Sequence, residues 1–236
     1  MNVLYKKSFY KNRTSNTKYS AKLILEILKK NIEKVDRVID IGCGSGAWLE
    51  QSRITLLSSY LHGFEGNWLP KEIIENLTNK KILLEKGNLN SKDFLDKIPK
   101  CDLIISLEVL EHLEKETIDY LCSKVFTKSK YILFSAALPY QGGNGHISEL
   151  PLSYFVNEMN INGYGCLDII RGKIWNDQNI PFWYKQNTVL FERGVKNKIS
   201  EPIDIIHPEC LQMRAEPSLS QGIYHIKNKL KSLINL

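Results

Sequence analysis

The chain has 236 residues, 43% of them hydrophobic and 25% charged. That is long and apolar enough for a sizeable core, and it excludes a collagenous or intrinsically disordered class. Lys+Arg exceed Asp+Glu by 32 to 26, a formal charge of +6. This admits an anionic acceptor, but no basic block long enough for a dedicated nucleic-acid tail occurs, which argues against nucleic acid as a partner.

Taken in chain order, residues 1–17 read as polar and irregular, with Tyr5, Phe9 and Tyr10 as anchors. Leu23, Ile24, Ile27 and Leu28 recur at helical spacing and predict an amphipathic helix over 18–31. A strand follows over 35–41, then a glycine turn and a helix over 46–58. A second strand is predicted over 60–65, a short helix from Pro70 to Leu77, and a third strand over 82–85. The run CDLIISL (101–107) is apolar nearly throughout, as a central parallel strand should be. A helix over 114–126 and a buried strand over 131–138, stopped by Pro139, come next. The loop QGGNGH then carries His146, ahead of a helix over 152–161. The last two strands are predicted over 164–173 and 188–192, separated by a Trp- and Tyr-rich loop.

Alternating strands and helices imply an α/β fold with a mostly parallel sheet. This domain is assigned to 1–194. Residues 195–236 read as a Pro-punctuated linker and a C-terminal amphipathic helix carrying Ile223, Ile226, Leu230 and Leu233. That helix would dock on the domain or pair with a second subunit as a homodimer. Cys43, Cys101, Cys122, Cys166 and Cys210 are odd in number and form no CxxC pair, which points to buried thiols in a reducing compartment. The N-terminus lacks the apolar core of a signal peptide. The longest apolar run falls far short of the ~20 residues that cross a bilayer. Both observations predict a cytoplasmic protein with no membrane span.

The stretch with the most chemistry is Asp40-Ile41-Gly42-Cys43-Gly44-Ser45-Gly46. Glycines between a strand and a helix let backbone N–H groups approach a ligand with no Cβ in the way. Nineteen residues beyond Gly46, Glu65 ends the second strand, where an acid can accept both hydroxyls of a ribose. A second constellation follows the fourth strand. Glu108, Glu111 and His112 stand at i, i+3 and i+4 and share one face of a helical turn. With His146 at the same sheet edge they form a mixed O/N set suited to a divalent cation. Without a metal, His112 or His146 could act as a general base, with Glu111 beside them.

Asp40-x-Gly42-x-Gly44-x-Gly46 resembles motif I of class I S-adenosylmethionine-dependent methyltransferases, and differs from the G-x-G-x-x-G of dinucleotide enzymes. SLEVLEHL (106–113) is similar to that superfamily's motif after strand four. The resemblance implies a Rossmann-like, seven-stranded, mostly parallel sheet with helices on both faces. It implies S-adenosylmethionine held by Asp40, Gly42, Cys43, Gly44 and Gly46, with Glu65 and Gly66 at the ribose and Leu107 at the end of strand four. Asn88 and Leu89 fall at the adenine, where the family usually has an Asp before the apolar residue. Trp68 would cover the adenine face or join the core. FSAALPYQGGNGH (134–146) and WYKQNTVLF (183–191) resemble a bacterial group of these enzymes encoded among cell-surface glycan genes, so that the likeness spans about 18–193.

Glu108, Glu111, His112 and His146 together resemble the metal site of small-RNA terminal 2′-O-methyltransferases. The first three also resemble the Glu-x-x-Glu-His of ubiquinone-pathway O-methyltransferases. The resemblances imply O-methylation of a sugar or a related capsule or lipopolysaccharide precursor, assisted by Mg, Mn, Fe or Zn. RNA, a phosphoryl-type or quinone-like small molecule, and a non-catalytic cofactor-binding role are the alternatives. Trp175, Trp183, Tyr184, Gln186 and Asn187 would either wall the acceptor pocket or pack the sheet edge.

Overall fold

Seven strands form one sheet in the order β3-β2-β1-β4-β5-β7-β6. They are β1 (Arg37–Ile41), β2 (Tyr60–Glu65), β3 (Leu83–Lys86), β4 (Cys101–Leu107), β5 (Ser129–Ser135), β6 (Tyr164–Leu167) and β7 (Val189–Arg193). The pairs among β1 to β5 are parallel, and β7 runs antiparallel to both β5 and β6. The computed structural model describes the backbone over residues 7–199 and 202–215, and the side chains within them from residue 16.

Successive residues of a strand point to opposite faces, so the central strands feed two cores. Ile39, Ile41, Ile104, Ile132, Phe134 and Phe191 face one side. Val38, Leu103, Ile105, Leu133 and Leu190 face the other. The first core is covered by α4 (Lys92–Asp96), α5 (Lys115–Tyr120) and α6 (Leu152–Ile161), through residues such as Phe94, Ile118 and Phe155. The second is covered by α1 (Lys7–Lys29), α2 (Ala47–Thr55), α3 (Lys71–Asn79), α7 (Arg171–Ile174) and α8 (Phe182–Asn187). From α1 it takes Ile24, Leu25 and Leu28, all fully buried. Burying a Leu or Ile side chain is worth ~1.5–3 kcal/mol, so these helices are held by their apolar faces.

The structure departs from the sequence expectation at several places, among them the short helix α4, which was not predicted. The first helix starts at Lys7, where an irregular segment was predicted. Tyr5 lies outside the described residues, as do the side chains of Phe9 and Tyr10. The predicted helix over 114–126 is α only to Tyr120, continuing as a π turn over Leu121–Val125 and a 3₁₀ turn over Phe126–Lys128. Strand β5 begins two residues early and ends at Ser135, although Ala136, Ala137 and Leu138 stay buried. The strand predicted over 164–173 ends at Leu167. There Asp168 takes the Arg171 guanidinium through Oδ2 at 2.7 Å and starts the helical turn α7. Finally, the Trp- and Tyr-rich loop contains α8, opened by Pro181.

The first compact unit runs to Ile205, beyond the predicted boundary at 194. Backbone bonds from Lys198 N–H to Cys166 O and from Asp168 N–H to Lys198 O explain the extension. The second unit begins at Ile206 and contains α9 (Pro208–Ala215), within the predicted linker. The predicted C-terminal helix around Ile223–Leu233 lies outside the described residues. Among the described residues no helix is long and apolar enough to cross a membrane.

Candidate active site

Chain order reverses between β1 and β4, so the loops leaving these two strands splay apart and open a crevice at their carboxyl ends. Both motifs emerge into it. Gly42 and Gly46 have φ of +75° and +74°, a left-handed backbone that disfavours any side chain. A Cβ on Gly42 would stand 2.4 Å from Val109 Cγ2, which shows how closely the glycine turn abuts the segment after β4. A Cβ on Gly46 would stand 2.2 Å from Leu77 Cδ2, so the third glycine lets α2 pack against α3.

Glu65 closes the glycine turn. Its Oε2 accepts from Gly44 N–H at 2.7 Å and its Oε1 from Gly66 N–H at 2.8 Å. The residue is buried, and burial holds its carboxyl above the ordinary range against the pull of those two amides. Asp40 is only 2% exposed, and its Oδ2 meets no hydrogen-bond partner among the described residues. Burial, and then the neighbouring Glu65 charge, push its carboxyl well above the ordinary range. A cationic or hydrogen-bond-donating ligand in the turn would relieve that cost. The residues therefore fit a nucleoside bearing an amino group.

The other residues expected at the cofactor differ in burial and contacts. Cys43 is buried, its sulfur lies 2.5 Å from where a Cβ on Gly63 would be, and burial pushes the thiol well up. Leu89 and Leu107 are buried apolar residues. Asn88 is exposed, and its side-chain oxygen accepts from Asn90 N–H at 3.0 Å, closing a turn. Trp68 is 38% exposed, and its indole overlies Gly66. It stands just beyond β2 and outside both cores.

The second constellation is brought together only in part. Glu111, His112 and His146 each offer a ligand atom, all within 4.8 Å of one another. Ligand atoms ~2.0–2.2 Å from one ion stand roughly 3–3.5 Å apart, so small side-chain rotations would close the three onto a cation. Glu111 is 1% exposed; its own and the Ala137 backbone amides lie close enough to favour its charged form, but neither carboxylate oxygen has a hydrogen-bond partner of good geometry among the described residues. Burial, then the Glu108 charge, raise its carboxyl well above the ordinary range. A divalent cation fits such an orphaned buried carboxylate. His146 Nε2 lies 3.9 Å from Glu111 Oε1, and the His112 and His146 rings meet edge to face at 4.8 Å.

Glu108 is near enough for its charge to act on Glu111 and His146, but it is not one of the three clustered ligand residues. It has φ +56°, and its N–H donates to Ser135 O at 3.0 Å. Its carboxylate accepts from Asn187 Nδ2 at 3.2 Å and Gln141 Nε2 at 3.4 Å. Gln186 joins them, donating to Gln141 Oε1 and Asn187 Oδ1. All three amides are buried, whereas Glu108 is partly exposed. Sequence spacing had grouped Glu108 with the ligands, because it cannot show a left-handed residue turning the side chain toward α8.

Of the predicted pocket wall, Tyr184 is core and packs edge to face on Trp48 at 5.6 Å. Trp175 and Trp183 are partly buried. Glu149 was missed by the sequence reading. It accepts from His146 Nδ1 at 2.9 Å and from Gly142 N–H. The signal was an acid three residues beyond the loop histidine, in a stretch with no helical pattern to attach it to.

A family model described as a methyltransferase domain matches residues 12–138. No curated protein sequence matches the chain. Among solved structures, an O-methyltransferase family protein from Burkholderia thailandensis is similar at 9% identity and a TM-score of 0.55, over 80% of this chain and 59% of that one. A SAM-dependent methyltransferase from Archaeoglobus fulgidus matches at 21% identity and a TM-score of 0.49, over 62% and 69% of the two chains. The methyltransferase domain of the bacterial CtHen1-C matches at 15% identity and 0.49, over 76% and 100%. The chain thus spans about three fifths of the Burkholderia protein's length. At these identities the likeness is one of fold.

Proposed function

Since the chain belongs to the methyltransferase-domain family and is an S-adenosylmethionine-dependent methyltransferase, we propose that it transfers the methyl group to an oxygen of a sugar or related cell-surface glycan precursor, with a divalent cation assisting. The observation that carries the metal part is Glu111, a buried carboxylate whose two oxygens have no hydrogen-bond partner among the described residues and which faces His112 and His146. A cation held by these residues would supply Lewis acidity that eases loss of the acceptor hydroxyl's proton. The chain's own residues align and exclude water. Asp40 meets the cofactor's amino end, Glu65 its ribose hydroxyls, and the Gly42–Gly46 turn its approach.

Methyl transfer needs little covalent chemistry from the protein, because the sulfonium is already activated. Holding acceptor oxygen, methyl and sulfur in line can supply ~7–11 kcal/mol in favourable cases. The amides of Gln141, Gln186 and Asn187 form a buried polar network with Glu108 beside the three clustered ligand atoms, and polar surroundings of that kind support a hydroxyl-bearing acceptor. The experiment is methyl transfer from labelled S-adenosylmethionine to a panel of nucleotide-activated sugars and short RNAs, before and after exhaustive chelation. Turnover of a sugar, lost on chelation and restored by Mn²⁺, is the expected result. Full activity after chelation would refute metal assistance, and transfer to RNA alone would replace the acceptor.

A further inference from the structure

The loop between β5 and α6 is built around one histidine in a way that the ligand set alone does not require. His146 Nδ1 lies 2.9 Å from Glu149 Oε1, and the same oxygen accepts from Gly142 N–H. A carboxylate already receiving one N–H is an acceptor, so the neutral imidazole meets it with Nδ1–H. The ring's lone pair is thereby placed on Nε2, the nitrogen nearer to Glu111. The ring overlies Gly143, where a Cβ would stand 2.2 Å from Nε2. Gly142 and Gly145, at φ +66° and +78°, fold the loop tightly enough for this. The loop is also tied to the turn carrying the other two candidate ligands. Ile147 and Ser148 N–H donate to Glu111 O at 2.8 and 3.1 Å, and His112 Nδ1 lies 3.1 Å from Gly145 O.

We propose that Glu149 is a positioning residue that fixes His146 as its Nδ1–H tautomer and so presents the Nε2 lone pair to Glu111 and His112. The inference deepens the proposed function and rests on His146 acting at that site. A carboxylate behind a ligating histidine sets its orientation and basicity, and its removal typically costs 10–100-fold in metal affinity.

The test uses the full chain with ¹⁵N-labelled histidine at a pH where the imidazoles are neutral. Long-range proton–nitrogen correlation reads which ring nitrogen carries hydrogen, with His146 assigned by His146→Ala. The wild type should show His146 as Nδ1–H. Glu149→Ala should move it toward Nε2–H. Glu149→Gln, whose amide oxygen can still accept from both donors, should restore Nδ1–H. In parallel, Mn²⁺ binding followed by electron paramagnetic resonance should weaken about 10–100-fold in Glu149→Ala and recover in Glu149→Gln. An unchanged tautomer in Glu149→Ala overturns the inference, and so does unchanged Mn²⁺ affinity in a wild type that binds the ion. A wild type that binds no Mn²⁺ but whose tautomer follows Glu149 overturns metal assistance and upholds the positioning role.

Discussion

Replacing Glu65 separates a cofactor-binding role from a structural one. Its two oxygens accept from Gly44 and Gly66 N–H at 2.7 and 2.8 Å, and each keeps a second lone pair. A hydrogen bond to a charged group is worth ~1.5–3 kcal/mol, so losing one ribose hydroxyl sets a floor of ~1.5 kcal/mol and losing two a ceiling of ~6. The floor corresponds to about tenfold weaker binding. The apo fold should suffer less. Burial already holds the Glu65 carboxyl above its ordinary range, so ionised Glu65 carries a desolvation cost that its removal returns. Water entering the space left by Glu65→Ala can also meet the two freed amides. Glu65→Gln should not rescue binding. With an N–H aimed at each oxygen, the new amide nitrogen must face one of them, donor against donor. Calorimetric titration with S-adenosylhomocysteine, alongside thermal melts, measures both terms. Wild-type affinity in Glu65→Ala, or full recovery in Glu65→Gln, would refute the assignment.

Gly143→Ala should displace the His146 ring without harming the fold, because the backbone there is not left-handed and the three nearest atoms to the added Cβ all belong to the imidazole. Mn²⁺ affinity should drop at least about tenfold, as for loss of a ligand's support, with unchanged melting; an undisturbed His146 resonance would count against it. Asp40 titrates above the ordinary Asp range when folded, so the apo chain binds more protons than the unfolded chain in the window just above that range. Apo stability should therefore fall as pH rises through the window. Affinity for the amino-bearing cofactor should rise over the same window, since the ligand needs the carboxylate. Titrations across pH that show flat affinity would dispose of the Asp40 contact. Arg171 is buried, pairs with Asp168 and donates to Ile203 O at 2.8 Å. Arg171→Met should cost ~3–5 kcal/mol by leaving Asp168 unpaired, and a urea midpoint unmoved by the change would show the pair to be dispensable.

The middle of the sheet was legible because β1, β4 and β5 are buried on both faces and read as apolar runs. The bounds of β2, β4 and α6 follow directly from that pattern and from Pro and Gly at their ends. What was hidden depends on contacts distant in sequence. Leu167 ends a strand because Asp168 finds Arg171 and because Lys198 returns to pair beside Cys166. Glu108 sits at helical spacing from Glu111 and His112, yet its φ of +56° hands its carboxylate to Asn187, 79 residues away. Glu149 carries no periodic signal at all.

The division of labour along the chain explains why the family identifies the cofactor and leaves the acceptor open. The matched segment ends at Leu138, having supplied Asp40, the glycine turn, Glu65, Glu108, Glu111 and His112. The other polar groups clustered with these carboxylates all come later: Gln141, His146, Glu149, Gln186 and Asn187. They are joined to the earlier half by hydrogen bonds from Gln141 and Asn187 to Glu108 and from Ile147 and Ser148 to Glu111. The turn after β4 thus becomes a junction, with one carboxylate drawn into an amide network and the other, among the described residues, without a hydrogen-bond partner beside two imidazoles. Acceptor choice should therefore follow substitutions in 139–187 while cofactor affinity stays constant. Glu108 and Glu111 are where the two halves must agree.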